Sequence, residues 1–554
     1  MSRRAAWIAA LVGAVVAAVI TLPGLGTGTL WDNSETAYGE VSREVLLYHS
    51  AVVMHLNGAP WFVQPPLYFW IAAAFAKLFG VAPFALRLPS ALATIAMGGV
   101  VGYAVARVAS LRAAVLSTIV LSTSLMVAIV GRLAIMDALL DLAVCLAILA
   151  FYAGLRTRDE PVFGSPWLLA WVAMAFGVLA KGPIAVVATA LVVVPWYLWE
   201  RARNPGGARL PRPGAWLAAI AVFALIAVPW YVLLAGQAGS DSLGELLGHY
   251  SFGRYFGTIE NQTGPPYYYA PVVILGFFPW FAFLPPALWK QWRQAAGASG
   301  GLARLVLLWA VVPFVFFSIA KTKLPNYIAL EFPALAIAVG LWFDDVCAGI
   351  GRRTALGWTL LVPASLAGLA FAISVFVRDM HLTSDMQKVY GDLVLLGGLV
   401  FAGSVACFVL LLWERTARFA PYALAAAAAS TLLVVAIVAE PHTEPFKPIP
   451  QLAAIIRGQR AGGDVVAIQG VAGANALVFY TAPRVETLDG AGEPGRDTPT
   501  DPRHAICSAQ RAFVVTSARR PEPDPTYGRN RRELARSGND VLYLYDGPPC
   551  TGAE

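Results

Sequence analysis

A chain of 554 residues that is 58% hydrophobic and only 13% charged, with a mean hydropathy of +0.64, is not a soluble globular protein; such proteins carry roughly twice that share of charge. Apolar runs of about 17–22 residues, enough to cross a bilayer, recur along it, which makes it a polytopic membrane protein. The net charge of +7 does not indicate nucleic acid, because Lys and Arg are dispersed through the links between apolar runs.

The start, MSRRAAWIAALVGAVVAAVITLPGLG, has the layout of a signal peptide. Its apolar run 6–24 is longer than a usual h-region, so it reads as an uncleaved first span. Next comes LWDNSETAYGEVSREVLL (30–47), carrying Asp32, Glu35, Glu40, Arg43 and Glu44. Two readings of it stand together. Asp32 and Glu35 have the D-x-x-E spacing of a capping box, which satisfies the orphan N–H groups of a helix start. An acid-rich helix just outside a span is also a place to hold a reacting group at the lipid–water boundary.

Segment 67–79, LYFWIAAAFAKLF, is too short to cross a hydrocarbon core about 30 Å thick. The longer runs are 88–108, 112–130, 137–155, 166–180, 183–199, 215–235, 268–289, 303–320, 327–345, 355–377, 392–413 and 421–438. With 67–79 left out, the links on the side of the N-terminus hold Arg107, Arg112, Arg156, Arg158, Arg201, Arg203, Arg209 and Arg212. The same side continues with Lys290, Arg293, Arg304, Arg352, Arg353, Arg415 and Arg418. That is a positive-inside pattern, and counting 67–79 as a span would reverse it. The expectation is therefore about thirteen spans, a cytoplasmic N-terminus, and 67–79 lying as an interfacial or re-entrant helix on the outer face.

The outer face then collects Asp32, Glu35, Arg132, Asp137, Lys181, Arg254, Lys321 and Lys323. Any one Lys or Arg there is accounted for by snorkelling to headgroups. Several cations converging with two or three acids point instead to a site for an anionic lipid.

After Val438 the composition turns polar and rich in Pro and Gly. Residues 465–471, 476–481, 512–517 and 540–546 are β-prone, while 450–460 and 527–537 have helical patterns. The fold class expected is an α-helical polytopic membrane domain (1–440, with outer-face loops 25–87 and 236–267) followed by a small extracytoplasmic α/β domain (441–554). Cys145, Cys347 and Cys407 fall in or beside apolar runs and read as packing residues. Cys507 and Cys550 form a disulfide if the tail faces an oxidising compartment, and remain free thiols otherwise.

The chain resembles the GT-C fold glycosyltransferases, in the protein O-mannosyltransferase-like family that includes the aminoarabinose transferase acting on lipid A. The resemblance runs over 1–440 and rests on WDNSETAYGEVSREVL, PPLYFWIAAAFAKLFG, ALRLPSAL (85–92), GRLAIMDALL (131–140), LAKGPIAVV (179–187), PWYLW (195–199) and KTKLPNYIALEFPALAI (321–337). It implies a polyprenyl-phosphate sugar donor, transfer outside the cytoplasm of a bacterial inner membrane, and modification of lipopolysaccharide or another envelope glycan. The family's acidic pair aligns with Ser34 and Glu35, so the first acid is a serine here and Asp32 is the nearby substitute. The second family acid aligns with Asp137 and the phosphate-side tyrosine with Tyr38. Where the aminoarabinose enzyme has Glu-Lys-Pro this chain has Val63-Gln64-Pro65, and its zinc histidine has no counterpart near Glu260–Tyr267. No metal or other cofactor is therefore expected.

The implied chemistry assigns Asp32, Glu35 and Asp137 to catalysis, and Tyr38, Gln64, Arg132, Lys181, Arg254, Lys323 and Tyr327 to donor-phosphate or substrate binding. Cations and N–H donors stabilise the charge on a leaving polyprenyl phosphate, and a carboxylate deprotonates a hydroxyl acceptor. The acceptor is a lipid, glycan or protein; the rival enzyme readings are aminoarabinose transfer to lipid A and protein O-mannosyl transfer. A flippase of lipid-linked sugars would put ionisable groups at mid-bilayer, whereas here they cluster at span ends. A homologue that binds lipid without catalysis is the remaining alternative.

Overall fold

The computed structural model describes residues 2–31, 34–156, 165–258, 262–377, 383–471, 474–481, 484–488, 501–507, 509–519, 529–547 and 550. Asp32 lies outside them. In chain order the first helices are α1 (Arg3–Thr21), α2 (Ser34–Leu47), α3 (Leu67–Phe79), α4 (Pro83–Val108), α5 (Leu111–Ser122), α6 (Leu125–Val130), α7 (Asp137–Gly154), α8 (Pro166–Lys181), α9 (Ile184–Arg203) and α10 (Pro213–Ala238).

Among the described residues ten helices are long and apolar enough to cross a membrane, and an eleventh counts if the bent pair Tyr269–Gly276 and Trp280–Ala295 is one span. Of the segments read as spans, α8 and the broken pair α5–α6 fall short of that length. Helix α3 has 13 residues, which cover about 20 Å.

The chain divides into two compact units. The first comprises Met1–Leu25, Phe62–Tyr68 and Arg87–Ala439; the second comprises Gly26–Trp61, Phe69–Leu86 and Glu440–Glu554. Two parts of the segment 25–87 thus pack with the C-terminal residues.

In the first unit, α1 and α4 approach closely through glycines. A β-carbon on Gly13 would sit 2.4 Å from the Gly98 carbonyl oxygen, and one on Gly102 would sit 2.4 Å from that of Ala9. Gly98 and Gly102 form a small-xxx-small face, which lets apolar helices gain dispersion contact where lipid offers no hydrophobic driving force. At the ends of α9 and helix Gly301–Ile319, the fully buried Arg304 donates to Glu200 Oε2 at 2.6 and 3.0 Å. It also donates to the carbonyls of Ala295 and Gly297 at 2.7 and 2.8 Å. A buried charge is tolerated when partnered this fully.

In the second unit, strands β1 (His55–Leu56) and β2 (Ala59–Pro60) pair antiparallel across Asn57-Gly58, both with positive φ. Asn-Gly suits that two-residue hairpin, because both residues tolerate the left-handed region. The C-terminal sheet holds β3 (Val465–Gln469), β4 (Glu486–Thr487), β5 (Ala512–Ser517), β6 (Asn530–Ser537) and β7 (Asp540–Asp546) in the order β4-β3-β5-β7-β6. Strand β3 is parallel to β4 and β5, while β7 is antiparallel to β5 and β6. Helices Pro448–Gln459 and Ala474–Thr481 cover one face with Leu452, Ile456, Leu477 and Val478. Helix Pro502–Cys507 covers the other with Ala505 and Ile506.

Two segments depart from their sequence patterns. Residues 476–481 are helical, since a short apolar run serves a buried helix as well as a strand. Residues 530–537 are a strand despite the helical pattern over 527–537. Pairing with β7 overrides propensity there, and Arg531, Arg532, Glu533 and Arg536 charge this edge strand, which protects it from pairing with other chains.

Cys507 and Cys550 are joined in a disulfide with Cα atoms 5.5 Å apart, 43 residues apart in sequence. Closing a loop of that length restricts the unfolded chain, so Cys507→Ser with Cys550→Ser is expected to cost the C-terminal sheet about 4 kcal/mol. Denaturant unfolding of the full-length protein, followed by protection of the β5 and β7 amides, measures it.

Helix α2 is polar yet packed. Glu40 is fully buried, with Arg43 donating to it at 2.5 and 2.8 Å, while Glu44 accepts the Gly58 N–H at 3.1 Å. Burial first, and then the hydrogen bond and charge of Glu40, push the Glu44 carboxyl up to about 7. The unfolded chain releases that proton near an ordinary glutamate value, so between about pH 4.5 and 7 the native state binds more protons and its stability falls as pH rises. Glu44→Gln keeps an acceptor for Gly58 and is expected to remove this fall, making the variant relatively more stable at pH 8 than at pH 5. Thermal melts at the two pH values report the difference.

Candidate active site

A cavity of about 300 Å³ lies within the first unit. One wall comes from an antiparallel helix pair. Asp137 opens α7 and Lys181 closes α8, while at the opposite ends the rings of Phe151 and Trp167 are 5.2 Å apart. Each charge sits at the helix end whose dipole favours it, an acid at an N-terminus and a base at a C-terminus. Gly182 follows Lys181 with φ of +78°, a conformation that a β-carbon disfavours. The helix therefore stops at the lysine.

The facing wall is made by the π-helical turn Gly244–Gly253, the short helix Arg254–Phe256 and residues 316–330. The link 321–323 clips these together. Lys321 and Thr322 N–H donate to the carbonyls of Tyr255 and Arg254 at 3.1 and 3.2 Å, and Lys323 N–H donates to Gln262 O at 2.9 Å.

The polar groups form a connected run. Lys181 Nζ donates to Asp137 Oδ1 at 2.5 Å, and Asn326 Nδ2 donates to the same oxygen at 2.7 Å. Asp137 Oδ2 has no hydrogen-bond partner among the described residues. The Lys181 ammonium sits 4.9 Å from the Tyr327 ring centroid, and Arg254 Nη1 donates to the Tyr327 hydroxyl at 3.1 Å. The remaining lining is mostly apolar, with Phe252 and Phe256 more than half exposed. A carboxylate with a free lone pair, two cations, a phenol and an amide thus meet beside an open aromatic wall. Such a set has the chemistry to bind an anion and to accept a proton close to it.

Of the residues expected from sequence, the cavity gathers Gln64, Asp137, Lys181, Arg254 and Tyr327. Lys323 and Arg132 do not line it. The Lys323 ammonium donates to the carbonyls of Phe317, Ser318 and Ala320, closing the end of helix Gly301–Ile319. Burial holds its pKa below the usual lysine value. Arg132 donates to the carbonyls of Thr21 and Pro23 at 2.8 Å. Glu35 and Tyr38 belong to the second unit. Glu35 is buried and accepts the Trp31 N–H at 2.9 Å, the back-bond of a helix start, and Tyr38 lies edge-on to Trp61 and Phe69.

Asn326 and Asp141 went unnoticed in the sequence. Asn326 stands inside the KTKLPNY string beside two basic residues that drew attention first. Asp141 is an acid within an apolar run, a signal that was available. Among the described residues no group of three His, Cys, Asp or Glu is placed to hold a metal ion.

The family profile described as dolichyl-phosphate-mannose-protein mannosyltransferase matches residues 63–232. An undecaprenyl phosphate-alpha-4-amino-4-deoxy-L-arabinose arabinosyl transferase from Erwinia tasmaniensis is 30% identical over 398 residues, covering 69% of this chain and 68% of the relative. The protein of the same name from Edwardsiella ictaluri is 29% identical over 386 residues, covering 68% and 66%. The chain thus spans about two thirds of the length of the curated relatives it matches. A crystal structure of ArnT from Cupriavidus metallidurans bound to undecaprenyl phosphate superposes with a TM-score of 0.80 at 23% identity, covering 97% of this chain and 98% of that one. The fold is that of the GT-C transferases, with the small sheet domain at the C-terminus. By sequence, the chain belongs to the family of the undecaprenyl phosphate-alpha-4-amino-4-deoxy-L-arabinose arabinosyl transferases, polyprenyl-phosphate-dependent glycosyltransferases of the membrane.

Proposed function

We propose that this chain transfers a sugar from undecaprenyl phosphate to a lipid, glycan or protein acceptor on the outer face of a bacterial inner membrane. The observation that carries the reading is the meeting of Asp137, Lys181, Arg254 and Tyr327 in one cavity bordered by exposed aromatic rings. The acceptor oxygen attacks the anomeric carbon and the bond from that carbon to the phosphate oxygen breaks. Arg254, Lys181 and Tyr327 take up the charge on the departing phosphate, and Asp137 Oδ2 receives the proton of a hydroxyl acceptor. The prenyl chain runs along the exposed Phe252–Phe256 wall. The names of the relatives favour 4-amino-4-deoxy-L-arabinose as the sugar and lipid A among the acceptors. Glu35 and Tyr38 enter as further contributors on the family resemblance alone.

The orientation proposed has the N-terminus in the cytoplasm and residues 441–554 outside as an α/β domain. Basic links on one side and a disulfide between Cys507 and Cys550, suited to an oxidising compartment, support it.

Proteoliposomes holding the full-length protein, undecaprenyl phosphate carrying labelled 4-amino-4-deoxy-L-arabinose, and lipid A test the reading. Label moving to lipid A, and not in the Asp137→Asn variant, is the outcome expected. Label remaining on the donor with lipid, glycan and protein acceptors alike would remove it.

A further inference from the structure

Asp141 lies one helical turn into α7 from Asp137, lines the same cavity and is 5% exposed. The spacing of four residues places both carboxylates on one face of the helix. Asp137 is matched by Lys181 and Asn326. Asp141, in contrast, has no hydrogen-bond or ion-pair partner among the described residues, and Leu140, Ile184, Val187, Phe317 and Leu330 make the cavity around these groups apolar. A carboxylate with no direct partner in such surroundings either takes up a proton or costs several kcal/mol until a counter-charge meets it. It is a group waiting for a ligand.

Formal charges say which ligand. Asp137 has Lys181 as its counter-charge, whereas Asp141 has no cation at ion-pair distance among the described residues. A phosphodiester brings one negative charge, and Arg254, already bonded to the Tyr327 hydroxyl, is the cation to take it. The complementary partner for Asp141 is then a cation on the sugar.

Resting on the function proposed above, we propose that Asp141 is the sugar-selecting residue of this transferase. Its carboxylate receives the protonated amine of an amino sugar while Arg254 holds the phosphate. Asp137 keeps the proton-transfer role, and Asp141 only binds. A neutral sugar at the same place leaves the acid unmatched, so discrimination against it comes from the penalty of an unpaired buried charge as much as from the amine contact.

The test uses the full-length protein in detergent with three probes: undecaprenyl phosphate, its 4-amino-4-deoxy-L-arabinose ester, and the same ester with the amine acetylated. Wild-type protein is expected to bind the free-amine donor about 30-fold or more tighter than the acetylated one. Asp141→Asn is expected to bring the two within about threefold by loss on the free-amine donor, with plain undecaprenyl phosphate unaffected. In turnover the loss falls on KM rather than kcat, the signature of a binding contact.

Because Asp141 has no partner to lose, the melting temperature of Asp141→Asn stays level or rises, and Asp141→Ser provides a second variant of the same kind. Equal affinity of Asp141→Asn and wild type for the free-amine donor, or equal losses on both donors, would overturn the assignment. Failure of wild-type protein to bind even undecaprenyl phosphate counts against the donor site itself, and is told apart by that probe alone.

Discussion

Asp137→Asn is expected to lower turnover onto a hydroxyl acceptor by about 10²–10⁴-fold, the usual worth of a positioned general base. The amide still accepts from Asn326 through its oxygen, so the geometry at the start of α7 persists. Two things are lost: the proton acceptor, and the counter-charge of Lys181 at 2.5 Å. The second loss does not weaken donor binding, because an unpaired ammonium attracts the phosphate more strongly. The expected kinetic signature is a collapsed kcat with a level or lowered KM for the donor. Steady-state assays with labelled donor measure this, and an unchanged melting temperature separates it from a folding defect, which lowers the active fraction and leaves KM unchanged. The size of the effect also reports on the acceptor. An acceptor that is already an anion needs no base, and then the same variant loses little; that outcome would remove Asp137 from proton transfer.

Arg254→Gln is expected to act on the other side of the ledger of rate constants, raising donor KM by about 10–100-fold with a further fall in kcat, since an ionic contact to phosphate is shared by ground state and transition state. Arg254 is placed by the helix turn after Gly253 and by the Thr322 N–H on its carbonyl, so the substitution removes a charge without unfastening the wall. Tyr327→Phe keeps the ring beneath the Lys181 ammonium and deletes only the hydroxyl that Arg254 meets. Its loss should be about tenfold or less, in line with one hydrogen bond. Calorimetric titration with undecaprenyl phosphate ranks the three proteins. Affinity of Arg254→Gln equal to that of wild type would place the phosphate elsewhere.

Much of the membrane architecture was legible because apolar length is a coarse and nearly sufficient signal in a bilayer: α1, α4, α7, α9 and α10 all fall where long apolar runs stand. The difficult cases are those where length and hydropathy conflict with packing. Helices α5 and α6 divide one apolar run at Thr123-Ser124, whose hydroxyls bond back to the carbonyls of Ile119 and Val120, and α8 fills its apolar run yet has only 16 residues. In the C-terminal sheet, 476–481 and 530–537 carry patterns that pairing and burial overrule.

Within the site, cations were easier to find than to assign. Lys181 and Lys323 look alike in sequence, each near the end of an apolar run. One faces the cavity, and the other spends its three donors on carbonyls at a helix end. Nothing local in either string distinguishes these uses, because it is the turn of the chain after Ile319 that returns the Lys323 ammonium to the last carbonyls of the preceding helix. Asp141 shows the converse. Its context is apolar on both sides, and the informative feature is the partner it lacks.

A photoreactive undecaprenyl phosphate, with a diazirine close to the phosphate, tests the central claim most directly. Crosslinks are expected to concentrate on peptides containing residues 250–256 and 316–327, to be competed by unmodified undecaprenyl phosphate, and to fall in Arg254→Gln. Crosslinks spread over the lipid-facing surfaces of α1 and α10, indifferent to competitor and to Arg254, would contradict a donor site in this cavity.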